Sequence, residues 1–163
     1  MRKHLTILVA LLLFFVHLHK ENQPAKVNFL DRNPRLTIQQ VIQNESILSF
    51  VNDSLLKPPY KTVELEIKWG PLHPAILGLT TEIIDGTYFI QLNQGLTLEQ
   101  TQRVLMHELV HVYQFHYNLL EDLPTDVVRW KDEIYYWSMP WRERPWEIHA
   151  EAWSDKLYVP TRP

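Results

Sequence analysis

Apolar residues recur along this chain in three rhythms. From Leu5 to Leu18 they form an almost unbroken run, interrupted by Thr6 and His17. Ile38, Val41, Ile42, Leu48, Val51 and Leu55 follow helical spacing, and so do Val104, Leu105, Leu109, Val112 and Tyr113. Between these stretches Val63, Leu65, Ile67 and Trp69 alternate with polar residues, which predicts a half-buried strand over Thr62 to Trp69. Ile76 to Ile84 and Thr87 to Asn93 read as two further strands, joined into a hairpin at Asp85-Gly86. Punctuation agrees with this division. Thr37-Ile38-Gln39-Gln40 and Thr97-Leu98-Glu99-Gln100 are capping boxes, which start helices. Asn44-Glu45-Ser46 interrupts the first helix, Lys57-Pro58-Pro59 ends it, and Gly70-Pro71-Leu72-His73-Pro74 turns the chain. Pro145 suits the first turn of a last helix. The expected fold is α+β, with helices on one face of a short, mostly antiparallel sheet.

The unbroken run sits apart from that fold. It spans 14 residues behind the positive pair Arg2-Lys3. A membrane-spanning helix needs about 20 residues, so residues 1–20 fit a signal peptide or an uncleaved signal anchor better. Val16-His17-Leu18-His19-Lys20 and Gln23-Pro24-Ala25 make poor cleavage sites. The chain from residue 20 onward is therefore expected outside the cytoplasm, secreted or anchored to the membrane by its N-terminal segment. Residues 21–35 form a polar linker, and 36–163 form the domain. His4, His17 and His19 look incidental.

Composition narrows the classes. Apolar residues at 45 % and charged residues at 21 % describe an ordinary globular domain, and 163 residues suffice for one core. The net charge of −3 provides no basic field for nucleic acid. Cysteine is absent, which excludes disulfides, a thiol nucleophile and a lipidated Cys. There are no repeats or low-complexity runs, and the oligomeric state is not legible.

The chemistry is concentrated at His107-Glu108-Leu109-Val110-His111. Two histidines four residues apart on a helix share one face, about one turn apart, and can bind one Zn²⁺ together. The glutamate beside the first histidine can take a proton from a water at that metal. The capping box at Thr97 and the apolar stripe from Val104 to Tyr113 give the motif a packed helix to stand on. Catalytic zinc usually has three protein ligands. Glu147 and Glu151, one turn apart downstream of Pro145, are the candidates for the third.

These residues resemble the gluzincin metallopeptidases. His-Glu-Leu-Val-His followed 30 to 40 residues later by a helical Glu is similar to that family. Glu147 gives a Glu-x-x-Ala-Glu pattern, and its Pro-Trp-Glu setting resembles the small SprT-like and ImmA/IrrE-like members; the family usually has an acid where His149 stands. Glu151 gives Glu-x-x-Ser-Asp, which resembles the thermolysin pattern, with Asp155 then orienting a histidine. Glu147 is preferred. The resemblance covers roughly residues 60 to 158. It implies a zincin-like fold, a Zn²⁺ cofactor held by His107, His111 and Glu147 (or Glu151), Glu108 as the base, and hydrolysis of a peptide or protein substrate. It also implies that the strand before the metal helix, Thr87 to Asn93, is a sheet edge where extended substrate pairs.

Five of the six tryptophans lie between residues 123 and 160, with Tyr135, Tyr136 and Tyr158 among them. They read as core and lid packing, or as a cleft wall. Tyr135, Tyr136, Arg142, Arg144 and His149 are candidates for polarising the scissile carbonyl. Gln114 and His116 follow the motif on its helix, His116 as a neighbour and not a ligand, and His73 reads as a loop residue. Two other readings accompany the peptidase: a catalytically inactive, zinc-stabilised binding domain displayed at the membrane, and a structural domain without metal.

Overall fold

The computed structural model describes residues 38–55, 63–84 and 86–160. The N-terminal apolar run, the linker, the first capping-box threonine, Lys57-Pro58-Pro59 and Asp85 lie outside them. Among the described residues no helix is long and apolar enough to cross a membrane.

The chain is α+β. It begins with α1 (Ile38–Ile42) and α2 (Glu45–Phe50), which runs on into a π-helical turn, Val51–Leu55. The interruption expected at Asn44-Glu45-Ser46 is a cap. The Asn44 side chain accepts hydrogen bonds from Ser46 N and Ile47 N and so starts α2. Strand β1 (Glu64–Gly70) buries Leu65, Ile67 and Trp69, continuing the alternation from Val63. Strands β2 (Gly78–Ile84) and β3 (Thr87–Asn93) form the expected hairpin. Gly86 closes it with φ 81°, a left-handed backbone that glycine adopts without a Cβ penalty.

Strand order is β1-β3-β2, and β1 pairs with β3 in parallel, so this sheet is mixed. Buried residues meet in register: Leu65 opposite Tyr88, Ile67 opposite Ile90, Trp69 opposite Leu92. This corrects one expectation. Thr87–Asn93 is the central strand, and β1 and β2 are the two edges. The hairpin occupies one side of β3, and the chain has crossed over to bring β1 to the other. Periodicity reports which face of a strand is buried and cannot report which sides are paired.

Helix α3 (Leu98–His116) packs on β2 and β3. Its capping box is present as expected: Thr97 Oγ1 accepts from Gln100 N at 3.2 Å, and Gln100 Oε1 accepts from Thr97 N at 2.9 Å. Leu105, Met106, Leu109, Val110 and Val112 are buried in the core that also takes Tyr88, Ile90 and Leu92.

A second sheet follows. Strands β4 (Leu120–Leu123), β5 (Val127–Trp130) and β6 (Glu133–Tyr136) make an antiparallel meander in order β4-β5-β6. An Arg129–Glu121 ion pair spans the β4/β5 register. The sequence had shown only aromatic density there. A short 3₁₀ turn (Trp141–Glu143) leads into α4 (Pro145–Leu157). Helix α4 runs antiparallel to α3, with Trp146 beside Gln114 and Tyr158 beside Gln102. The aromatics hold it there. Trp146 is fully buried, with Tyr135 and Trp137 edge-on at 6.0 and 5.5 Å, and Trp153 lies 5.0 Å from Tyr113.

Candidate metal centre

Helix α3 projects His107 and His111 from one face because four residues advance a helix by slightly more than one turn. Helix α4 presents Glu147 from its first turn toward the same point. His107 Nε2 and His111 Nε2 are 3.0 Å apart, and Glu147 Oε2 lies 3.3 Å from each. These three side chains form a group that could hold a metal ion. Its spacing suits that use. Zinc bonds of about 2.0–2.1 Å to a tetrahedral ion put neighbouring donors about 3.3 Å apart. Two imidazoles and one carboxylate are also a donor set that zinc accepts.

Burial sets the electrostatics. Burial alone would raise the Glu147 carboxyl, but hydrogen bonds with His107 and His111 and their charges hold its pKa down to about 2. Burial alone would depress His111. The Glu147 bond and the charges of Glu108 and Glu147 outweigh it, and the His111 pKa is raised. Both shifts favour the charged forms, a carboxylate beside a protonated imidazole.

Glu108 is buried beside the histidines. Desolvation pushes its pKa up, against the pull of His111, His107 and the Thr80 hydroxyl, and Glu147 adds to the rise. Two residues of edge strand β2 hold it. Thr80 Oγ1 donates to Glu108 Oε2 at 2.7 Å. Gly78 makes room: a Cβ there would overlap Glu108 Oε1 and stand 2.6 Å from Val104 Cγ1. Neither residue had a signal in the sequence, since the contact spans 28 positions and depends on β2 being next to α3.

Glu151 stands apart from the three-residue group. It is exposed and lines a hollow of about 320 Å³ with Trp141, Arg142, Glu147 and Ile148. Asp155 pairs with Arg103 at 3.9 Å, on exposed surface. The carbonyl-polarising candidates are dispersed. Arg144 donates to Met139 O and Trp137 O and lies over the Trp137 and Trp146 rings, so it braces the loop before α4. Tyr135 donates to Glu133, and Tyr136 is exposed. His149 lies between the rings of Trp130 and Trp153, at 5.2 and 4.9 Å, and faces Gln114. Burial, with the Lys131 and His111 charges, lowers its pKa. Arg142 alone of the five borders the hollow beside Glu147. His73 is an exposed loop residue that accepts from Ala75 N, and His116 packs against Tyr88 and Tyr117.

The chain matches no protein-family model and no curated protein.

Proposed function

We propose that this protein is a zinc-dependent peptidase of zincin type. The observation that supports the reading is the convergence of His107, His111 and Glu147 at metal-donor spacing, with the buried Glu108 carboxylate next to them. A bound zinc ion would supply a Lewis acid that lowers the pKa of water and polarises a carbonyl oxygen. His107 and His111 would bind it through Nε2, and Glu147 through Oε2. Glu108 accepts the proton of the attacking water at its carboxylate and returns it to the nitrogen of the departing amine. Burial raises its pKa, the direction that favours taking up a proton. Thr80 and Gly78 fix the carboxylate so that it need not reorient during the reaction. Extended substrate would pair with β2, the sheet edge that runs past Glu108. The start Arg2-Lys3 and the run from Leu5 to Leu18 support export, which a reporter fused after residue 30 would test by its side of the membrane.

The test is zinc content combined with a peptide-library assay. Wild-type chain should hold about one zinc and cleave some library members, and Glu108→Gln should keep the zinc and lose the cleavage. Chain that takes up no zinc, measured by elemental analysis and by the heat of zinc addition, overturns the metal reading. Stoichiometric zinc without hydrolysis identifies a non-catalytic, zinc-stabilised binding domain instead.

A further inference from the structure

Gln114 is a fully buried polar side chain that the mechanism above does not use. It lies seven residues after His107 and three after His111, on the metal-facing side of α3. Its amide has four hydrogen-bonding positions, and three are filled by partners from two helices. Nε2 lies 2.9 Å from Trp146 O and 3.0 Å from His149 Nδ1, and Oε1 lies 2.8 Å from His111 Nδ1.

The directions of these bonds follow from one fact. A backbone carbonyl only accepts, so the Gln114 atom facing Trp146 O is the NH₂ group. The other end is then the oxygen, which only accepts. His111 Nδ1 must therefore carry a proton and donate it. With Nδ1 holding that proton, Nε2 is the nitrogen left to give up its own to a metal, and it is the atom 3.3 Å from Glu147 Oε2. The second N–H of Gln114 meets His149 Nδ1, which accepts.

We propose that Gln114 is a positioning residue for the metal centre, setting the tautomer and ring orientation of His111. This inference rests on the metal reading above. Trp146 O, one residue before the ligand Glu147, holds the amide in one orientation. The Gln114 oxygen in turn holds the His111 proton on Nδ1. The same side chain thus ties the carboxylate ligand's helix to the histidine's tautomer, and a shift of α4 would disturb both. Groups that support a metal-bound histidine typically contribute 10–100-fold to affinity.

A merely structural Gln114 would join α3 to α4 and do no more. Two substitutions in the full chain separate the roles, each checked for folding by circular dichroism. Gln114→Glu keeps an oxygen for the His111 Nδ1 proton but removes both N–H donors. Gln114→Met keeps the length and removes everything polar. Zinc affinity, measured by competition with a chromophoric chelator, should fall roughly 10–100-fold in Gln114→Met. It should fall less in Gln114→Glu, which keeps an acceptor for His111 Nδ1 but sets a carboxylate oxygen against Trp146 O. Gln114→Met at wild-type affinity, or both variants falling equally, overturns the proposal. Nitrogen-15 NMR of zinc-loaded wild-type chain decides the question even if both variants fail to fold. The expected signature is a slowly exchanging His111 Nδ1–H with the metal on Nε2, and a metal on Nδ1 overturns it. If wild-type chain binds no zinc, the metal reading falls and this inference with it. If wild type and Gln114→Met bind zinc equally, this inference alone falls.

Discussion

Helices α3 and α4 meet at the same centre under different rules. Helix α3 has a complete capping box, a broad apolar face and its site residues at i, i+4 and i+7. Its start and its buried face are set by local signals. Helix α4 starts at Pro145 with no side-chain cap and carries two glutamates one turn apart, between which helical spacing does not choose and the family resemblance favours Glu147. Packing separates them. The seam against α3 follows Glu147, Ala150 and Ser154, all buried. At about 100° per residue, Glu151 turns roughly 40° past Glu147 and away from the other two. A helix with strong local signals announces its functional face, whereas a helix placed by packing acquires one from its neighbour.

The largest expected effect tests that contrast directly. His107→Ala should remove most of the zinc, and Glu147→Gln should weaken binding by more than the roughly 10–100-fold that loss of a supporting partner costs. Glu151→Gln should leave affinity within about twofold, as befits an exposed carboxylate. Equal losses from the two glutamate variants, in the same chelator competition, would abolish the distinction between the two positions on α4.

Next comes Glu108, the proposed base on α3. Glu108→Gln should lower peptide hydrolysis by about 10²–10⁴-fold with zinc and fold retained. A Gln variant that cleaves as fast as wild type removes Glu108 from the mechanism.

Edge strand β2 sharpens the comparison, since it serves α3 and not α4. Gly78→Ala forces a Cβ against Glu108 and Val104. Overpacking of this kind typically costs about 1–3 kcal/mol, read as a lower melting temperature, and the displaced carboxylate should lower turnover while zinc stays bound. Thr80→Val removes the hydroxyl that donates to Glu108, a bond to a charged group worth about 1.5–3 kcal/mol. Turnover should fall at unchanged zinc affinity. Loss of zinc from either variant would mean that β2 holds the whole site together and not the base in particular.

The smallest expected effect is in pH. In metal-free chain, the raised His111 contributes stability fully below its ordinary value of 6.5, and that contribution is lost as pH rises through its folded pKa. Glu108, raised by burial, acts in the same sense above its ordinary 4.5. Glu147 is opposite: its contribution is present above 4.5 and lost as pH falls through about 2. Metal-free chain should therefore melt at a lower temperature at about pH 8 than at about pH 5. Zinc must displace the His111 proton, so the stabilisation it adds should grow over the same interval. A zinc-induced shift that shrinks as pH rises contradicts the ligand assignment.

The sequence by itself determined what depends on near neighbours. Thr97 and Gln100 set the start of α3, the alternation from Val63 to Trp69 set the buried face of β1, Gly86 closed the hairpin, and the four-residue step placed His107 beside His111. The meander β4-β5-β6 escaped because its turns lack the usual glycine. Thr125 and Asp126 have φ of 70° and 63°, and Lys131 and Asp132 have 47° and 70°, left-handed values that residues of these types adopt less readily than glycine. Surrounding structure imposes them. Only tertiary structure put β3 between β1 and β2, brought Glu147 to His107 across 40 positions and Thr80 to Glu108 across 28, and gave Gln114 its three partners. The physical reason is the same in each case. Periodicity and capping energies act over a turn or two of chain, whereas sidedness, edge position and burial of a polar group belong to surfaces that meet only when the whole core closes.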